Sequence, residues 1–165
     1  MASKKRKDAP DAEGLFCEAD LYEDQGKLKE AFDFLRVAAQ LGHTGAQVNL
    51  GNFYAAGRGV RKNLKQAARW YKEAYKNGER TGAHNLAIDL RDQGKTRSAE
   101  TWFKKAIAMK EGDAYLALAK MRMARRGGQK GAASLLREAL LLTPRDISDD
   151  GKEEAESLLT KLSTM

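Results

Sequence analysis

Catalysis or metal binding in this chain would have to start from two histidines, one cysteine, a short glycine run and a cluster of carboxylates. His43 and His84 are far apart, and neither has a cysteine or a paired carboxylate at metal-ligand spacing. Cys17 is the single cysteine, so it has no internal disulfide partner. Gly57-Arg58-Gly59 looks like a phosphate loop, but neither a Gly-Lys-Ser nor a third glycine follows it. Asp149-Asp150 and Glu153-Glu154 suggest acid-base chemistry only until they are placed in the first turn of a helix, where carboxylates favour the macrodipole. No nucleophile stands with a base and an orienting group. The expectation is a protein that is not an enzyme and holds neither cofactor nor metal. The aromatic pairs Trp70-Tyr71 and Trp102-Phe103 could stack nucleobases, yet their periodic placement predicts that they are core, with both tryptophans buried between helices.

That periodicity defines the elements. Ala31, Ala67, Ala99 and Ala132 each have a second alanine seven residues on, at Ala38, Ala74, Ala106 and Ala139. Large apolar residues follow the first alanine at the third and fourth positions: Phe34-Leu35, Trp70-Tyr71, Trp102-Phe103 and Leu135-Leu136. The set i, i+3, i+4, i+7 is one face of a helix. The copies start 36, 32 and 33 residues apart, the period of helix-turn-helix repeats. Glycines at 26, 57, 59, 94, 127 and 128 fall at the turns inside the hairpins, where a helix ends in the left-handed conformation. The fold class is therefore all-α: a right-handed α/α solenoid of about four helical hairpins plus a C-terminal capping helix. The expected divisions are a mobile basic tail over residues 1–10, the solenoid over 11–145, and an acidic cap over 146–165. Ala155, Leu158, Leu159 and Leu162 form the cap's narrow apolar stripe, set against Leu135, Leu136, Leu140 and Leu141 of the fourth hairpin.

Charge is distributed unevenly. Net charge is +7, but residues 43–145 carry 21 basic against 8 acidic side chains, a local +13. Acidic segments flank them, −6 over residues 8–42 and −4 over 146–165. Such a polarity steers an acidic partner toward the centre. The longest apolar run, 114–119, is far short of the ~20 residues that span a bilayer, and the N-terminus lacks the apolar core of a secretory signal. A cytoplasmic protein without membrane contact is expected. Lys4-Lys5-Arg6-Lys7 reads as a solvated tail.

In the second hairpin, Ala46-Gln47-Val48-Asn49-Leu50-Gly51-Asn52-Phe53-Tyr54, then Gly57-Arg58-Gly59-Val60, then Ala67-Ala68-Arg69-Trp70-Tyr71-Lys72-Glu73-Ala74 and Gly78, resembles a complete Sel-like repeat, a relative of the tetratricopeptide repeat. The third keeps Asn85-Leu86-Ala87 and Ala99 to Ala106 without the long glycine loop, and so departs toward the shorter tetratricopeptide form. The first and fourth match by spacing, with Ala19 and Ala119 where Gly51 stands. Small residues there let the paired helices approach closely.

The resemblance implies that the first helix of each hairpin lines a concave groove. It places Phe16, Asp20 and Glu23 there from the first hairpin and Asn49 and Asn52 from the second. The third contributes His84, Asn85, Ile88 and Arg91, and the fourth Lys120 and Met123. Asn52 and Asn85 match two asparagines of the clamp by which some tetratricopeptide domains hold a terminal carboxylate. Val48, Asp113 and Ala117 occupy that clamp's cationic positions, so the clamp is rejected. The functional expectation is a non-catalytic module, monomeric when free, that binds one protein partner with acidic character. Within that class the resemblance suggests a bacterial adaptor, or an immunity or antitoxin-like protein that occludes an effector. The alternative is an RNA-binding or other nucleic-acid-binding repeat protein using the basic midsection.

Overall fold

A computed structural model describes residues 11–125 and 127–164. The expected basic tail, with Lys4 to Lys7, lies outside the described residues. Within them the chain forms helices and no strand. It divides into two compact units, residues 1–79 and 80–165.

The first unit holds α1 (Ala12–Asp24), α2 (Leu28–Gln40), α3 (Thr44–Ala56) and α4 (Leu64–Lys76). α1 pairs with α2, α3 with α4, and α2 packs on α3. Each start has a local cause. The Asp11 side chain accepts from the Gly14 amide at the head of α1, His43 Nδ1 from Ala46 at α3, and Asn63 from Gln66 at α4. α3 ends at Gly57 in the left-handed region (φ 76°). Gly59, also left-handed, runs so close to the Leu28 backbone that a Cβ would collide with it. The glycine run is thus a turn packed on the head of α2.

The second unit holds α5 (Arg80–Asp92), α6 (Thr96–Ala108), α7 (Gly112–Met123), α8 (Gln129–Leu140) and α9 (Asp149–Ser163). α5 pairs with α6 and α7 with α8, α6 packs on α7, and α9 lies against α8 and α7. Ser148 caps α9 by accepting from Gly151, and Asp149 and Asp150 stand in its first turn.

All eight register alanines are fully buried. They form the flat side on which paired helices meet, and a Cβ on Gly51 would run into the Tyr71 ring. The aromatic assignment needs correction. Tyr71 and Phe103 are buried, at 2% and 0% exposure, whereas Trp70 and Trp102 are only half-buried. The residue four after the alanine points at the partner helix, while the residue three after it sits at the seam, where an indole keeps one edge in water. Arg69 lies over Trp70 and Lys105 over Trp102, at 5.9 and 3.9 Å from the ring centroids. Leu141, expected on the apolar side of the fourth hairpin, is 85% exposed because α8 ends at Leu140.

Candidate functional site

In the first unit, the residues expected on the inner face are mostly engaged internally. Asn52 on α3 accepts from the Tyr71 hydroxyl at 2.8 Å. Glu23 near the end of α1 pairs with Arg58 at 2.8 Å, and Arg58 lies over the Phe53 ring. Phe16 stacks on His43 with centroids 4.3 Å apart. His43 accepts at Nδ1 from Ala46, so its proton is on Nε2, which donates to Glu13 at 2.9 Å. Asp20 is exposed; partial desolvation, then Glu23 and Asp24, push its carboxyl above the ordinary 3.8, with His43 opposing. Asn49 is half-buried. Val48, at one of the clamp's cationic positions, is buried.

In the second unit four of the expected residues come together. His84, Ile88 and Arg91 project from α5 and Lys120 from α7 into one open cleft of about 270 Å³. The spacing explains the set: residues 84, 88 and 91 are i, i+4 and i+7 on α5. Asn85, one residue off that line, does not line the cleft, and neither does Met123. The remaining walls are Asp113, Leu116 and Ala117 of α7 and Glu154 of α9. The apolar floor of Ile88, Leu116 and Ala117 thus carries a rim of both charges. Lys120 pairs with Glu154 across the cleft at 2.6 Å, and Arg91 is held by its neighbour Asp92 at 2.9 Å.

His84 is the most unusual group here. Its Nδ1 is buried and makes no hydrogen bond among the described residues, and its ring meets Phe103 edge to face at 5.9 Å. Burial pulls its pKa below the ordinary 6.5, Asp113 works against that, and Arg91 reinforces it. The imidazole is therefore neutral at physiological pH and offers a site for a hydrogen bond.

Glu154 and Leu116 had no sequence signal as site residues. Glu154 looked fully explained by its position early in an acidic helix, and only the placement of α9 beside α7 brings it to Lys120. Below the cleft, Arg80 at the head of α5 pairs with Glu111 at 2.9 Å and Asp146 at 2.6 Å, and donates to the carbonyls of Lys110 and Arg145. This guanidinium ties α5 to the chain entering α7 and the chain entering α9, the helices that wall the cleft. Among the described residues no group of three or more His, Cys, Asp or Glu could hold a metal ion, and no helix is long and apolar enough to cross a membrane.

The Sel1 repeat matches residues 23–43 and 44–79, and a tetratricopeptide repeat matches 80–111. Similar solved structures include a Sel1 repeat protein from Oxalobacter formigenes, at 20% identity and a TM-score of 0.70 over 92% of this chain and 63% of that one. A protective antigen of uropathogenic Escherichia coli with an SLR fold aligns at 14% identity and a TM-score of 0.64, over 93% of this chain and 38% of that one. A putative kinesin light chain from Podosopora anserina with nearly identical TPR-like repeats aligns at 14% identity and 0.59, over 92% and 85%. The chain spans less than two thirds of the length of the first two. At these identities the likeness is one of fold, that of an all-α helical-repeat solenoid. Consecutive repeat matches over residues 23–111, on helical hairpins with buried register alanines, place this chain in the Sel1-like, tetratricopeptide-like repeat family.

Proposed function

We propose that the protein is a non-catalytic binding module whose partner is a single protein, and that the cleft walled by α5, α7 and α9 receives a segment of it. Repeats of this family are protein-protein interaction modules, which supports the class. The observation that carries the site is the buried, unsatisfied Nδ1 of His84 in a cleft with an apolar floor and a rim of opposite charges. A segment bringing one apolar side chain between a hydrogen-bonding group and an acidic group would fill it. The apolar group covers Ile88 and Leu116, a backbone or side-chain group meets His84, and the carboxylate meets Arg91 or displaces Glu154 from Lys120. Within this class the family resemblance suggests an adaptor, or an immunity-like protein that covers the working surface of an effector.

Affinity capture with mass spectrometry identifies the partner, and calorimetry on variants tests the site. Ile88→Glu and Arg91→Glu should each weaken binding at least tenfold, about 1.4 kcal/mol or more, with little change in melting temperature for Arg91→Glu. Asn52→Ala should act mainly through stability, because Asn52 supports Tyr71. Unchanged affinity in both cleft variants would move the interface elsewhere.

A further inference from the structure

The outward face of α4 carries a line of cations that the cleft does not use. Lys65, Arg69, Lys72 and Lys76 are exposed and stand at i, i+4, i+7 and i+11, one side of the helix. Arg61 and Lys62, also exposed, extend the line before the helix begins. The single carboxylate nearby, Glu73, is half-buried and pairs with Lys76 at 3.3 Å. Lys65 and Lys72 make no ion pair among the described residues.

The arrangement is not an accident of one helix. Lys65 and Lys72 occupy the positions two before and five after the register alanine. The same two positions are basic and exposed in every repeat: Lys29 and Arg36, Arg97 and Lys104, Lys130 and Arg137. An exposed helix face needs polar residues, but nothing in packing asks for the same sign four times. In α2 the pair is offset by the exposed Glu30 and Asp33; on α4 the acid on that side is Glu73, which Lys76 holds.

From this we infer that the outward face of α4 docks the phosphate backbone of a nucleic acid without reading its sequence. Four cations over eleven residues cover about 16 Å of helix axis at 1.5 Å per residue. Their density approaches that of one strand of a duplex, about one charge per 3.4 Å. Lysines, which dominate the line, meet phosphates as point charges. The outward set contains no aromatic group and no Asn or Gln pair placed to read base edges, which leaves a contact of the backbone-positioning kind. No residue of this line is among those that line the cleft, so either assignment can fail alone.

The test is fluorescence anisotropy of the full chain with a labelled 20-base-pair DNA duplex between 50 and 200 mM salt. Four neutralised phosphates predict a log-log slope near −3.6 and a loss of about 10²-fold across that range. Lys65→Gln combined with Lys72→Gln should bring the slope to about −1.8 and weaken binding at 50 mM, with an unchanged melting temperature. Lys152→Gln with Lys161→Gln on α9, an equal change in net charge, should leave both nearly as they were. A second duplex of unrelated sequence should bind equally. The inference is overturned by absence of binding at 50 mM salt, or by equal losses in the two double variants. Tighter binding of polyglutamate than of duplex through the same two lysines would also overturn it, making the face a surface for acidic protein.

Discussion

Gly51 and Lys110 show how one side chain sets the helical frame. A Cβ on Gly51 would collide with the Tyr71 ring. Gly51→Leu should therefore overpack the second hairpin and cost about 1 to 3 kcal/mol, read as a lowered midpoint in urea or heat. An unchanged midpoint would show that Tyr71 swings aside at no cost. Lys110 is the one described non-glycine residue with positive φ, at 59°. It ends α6 as Gly42 and Gly78 end α2 and α4: its amide donates to Ile107 and the next amide to Ala106, the same pattern the two glycines make. Left-handed backbone costs a residue with a Cβ about 1 to 2 kcal/mol, part of which glycine forfeits in chain entropy. Lys110→Gly should stabilise the protein by about 0.5 to 1 kcal/mol by chemical denaturation; a loss would mean that the lysine side chain makes an offsetting contact.

At the scale of elements, α9 is a helix whose role depends on what it covers. Ala155 is fully buried against the preceding hairpin, Leu158, Leu159 and Leu162 are half-buried, and the acidic side faces water. Deleting residues from 149 onward leaves Arg80 and Asp146 in the chain while exposing the apolar side of α7 and α8 that α9 covers. Exposed apolar strips of this kind promote association. Light scattering or sedimentation should show dimers or aggregates, and a monomer with unchanged melting would identify α9 as dispensable. The same deletion removes Glu154 and frees Lys120, so it tests the cleft as well as the covering.

On the scale of the molecule, the second unit is closed by contacts between residues remote in sequence. The Arg80 guanidinium beside Asp146, with Thr143 donating to the same carboxylate, holds its pKa below the ordinary 3.8. A lowered folded pKa means that the stabilisation is present above 3.8 and is lost as pH falls through the folded value. Wild type should therefore lose more stability than Asp146→Asn between pH 6 and pH 3 in urea titrations. Glu100 has the same sign: burial raises its pKa, but Lys104 and Arg122 together outweigh that and lower it. It is present in both proteins, so the difference between them isolates Asp146. Parallel pH profiles would show that the Arg80 contact contributes nothing in solution.

Legibility in the sequence followed the range of the interactions. Repeat number, helix class, the register alanines and the small residue at Gly51 were all readable, because periodicity and turn chemistry act over three to seven residues. His84, Ile88, Arg91 and Lys120 came from the family resemblance, which assigns the first helix of each hairpin to the groove, and the lining of the cleft contains all four. The choice between the two aromatic positions, Tyr71 over Trp70 and Phe103 over Trp102, was not readable. Both fall on the apolar side of the same helix, and only the angle at which the partner helix crosses decides which of them is enclosed. Glu23, Asn52 and Lys120 looked like groove residues awaiting a partner, and the fold hands each one to Arg58, Tyr71 and Glu154. Local pattern determined what the helices are and which side of each is apolar. Tertiary structure alone determined which polar groups are engaged within the fold, because ion pairs and burial depend on side chains as far apart in sequence as Arg80 and Asp146.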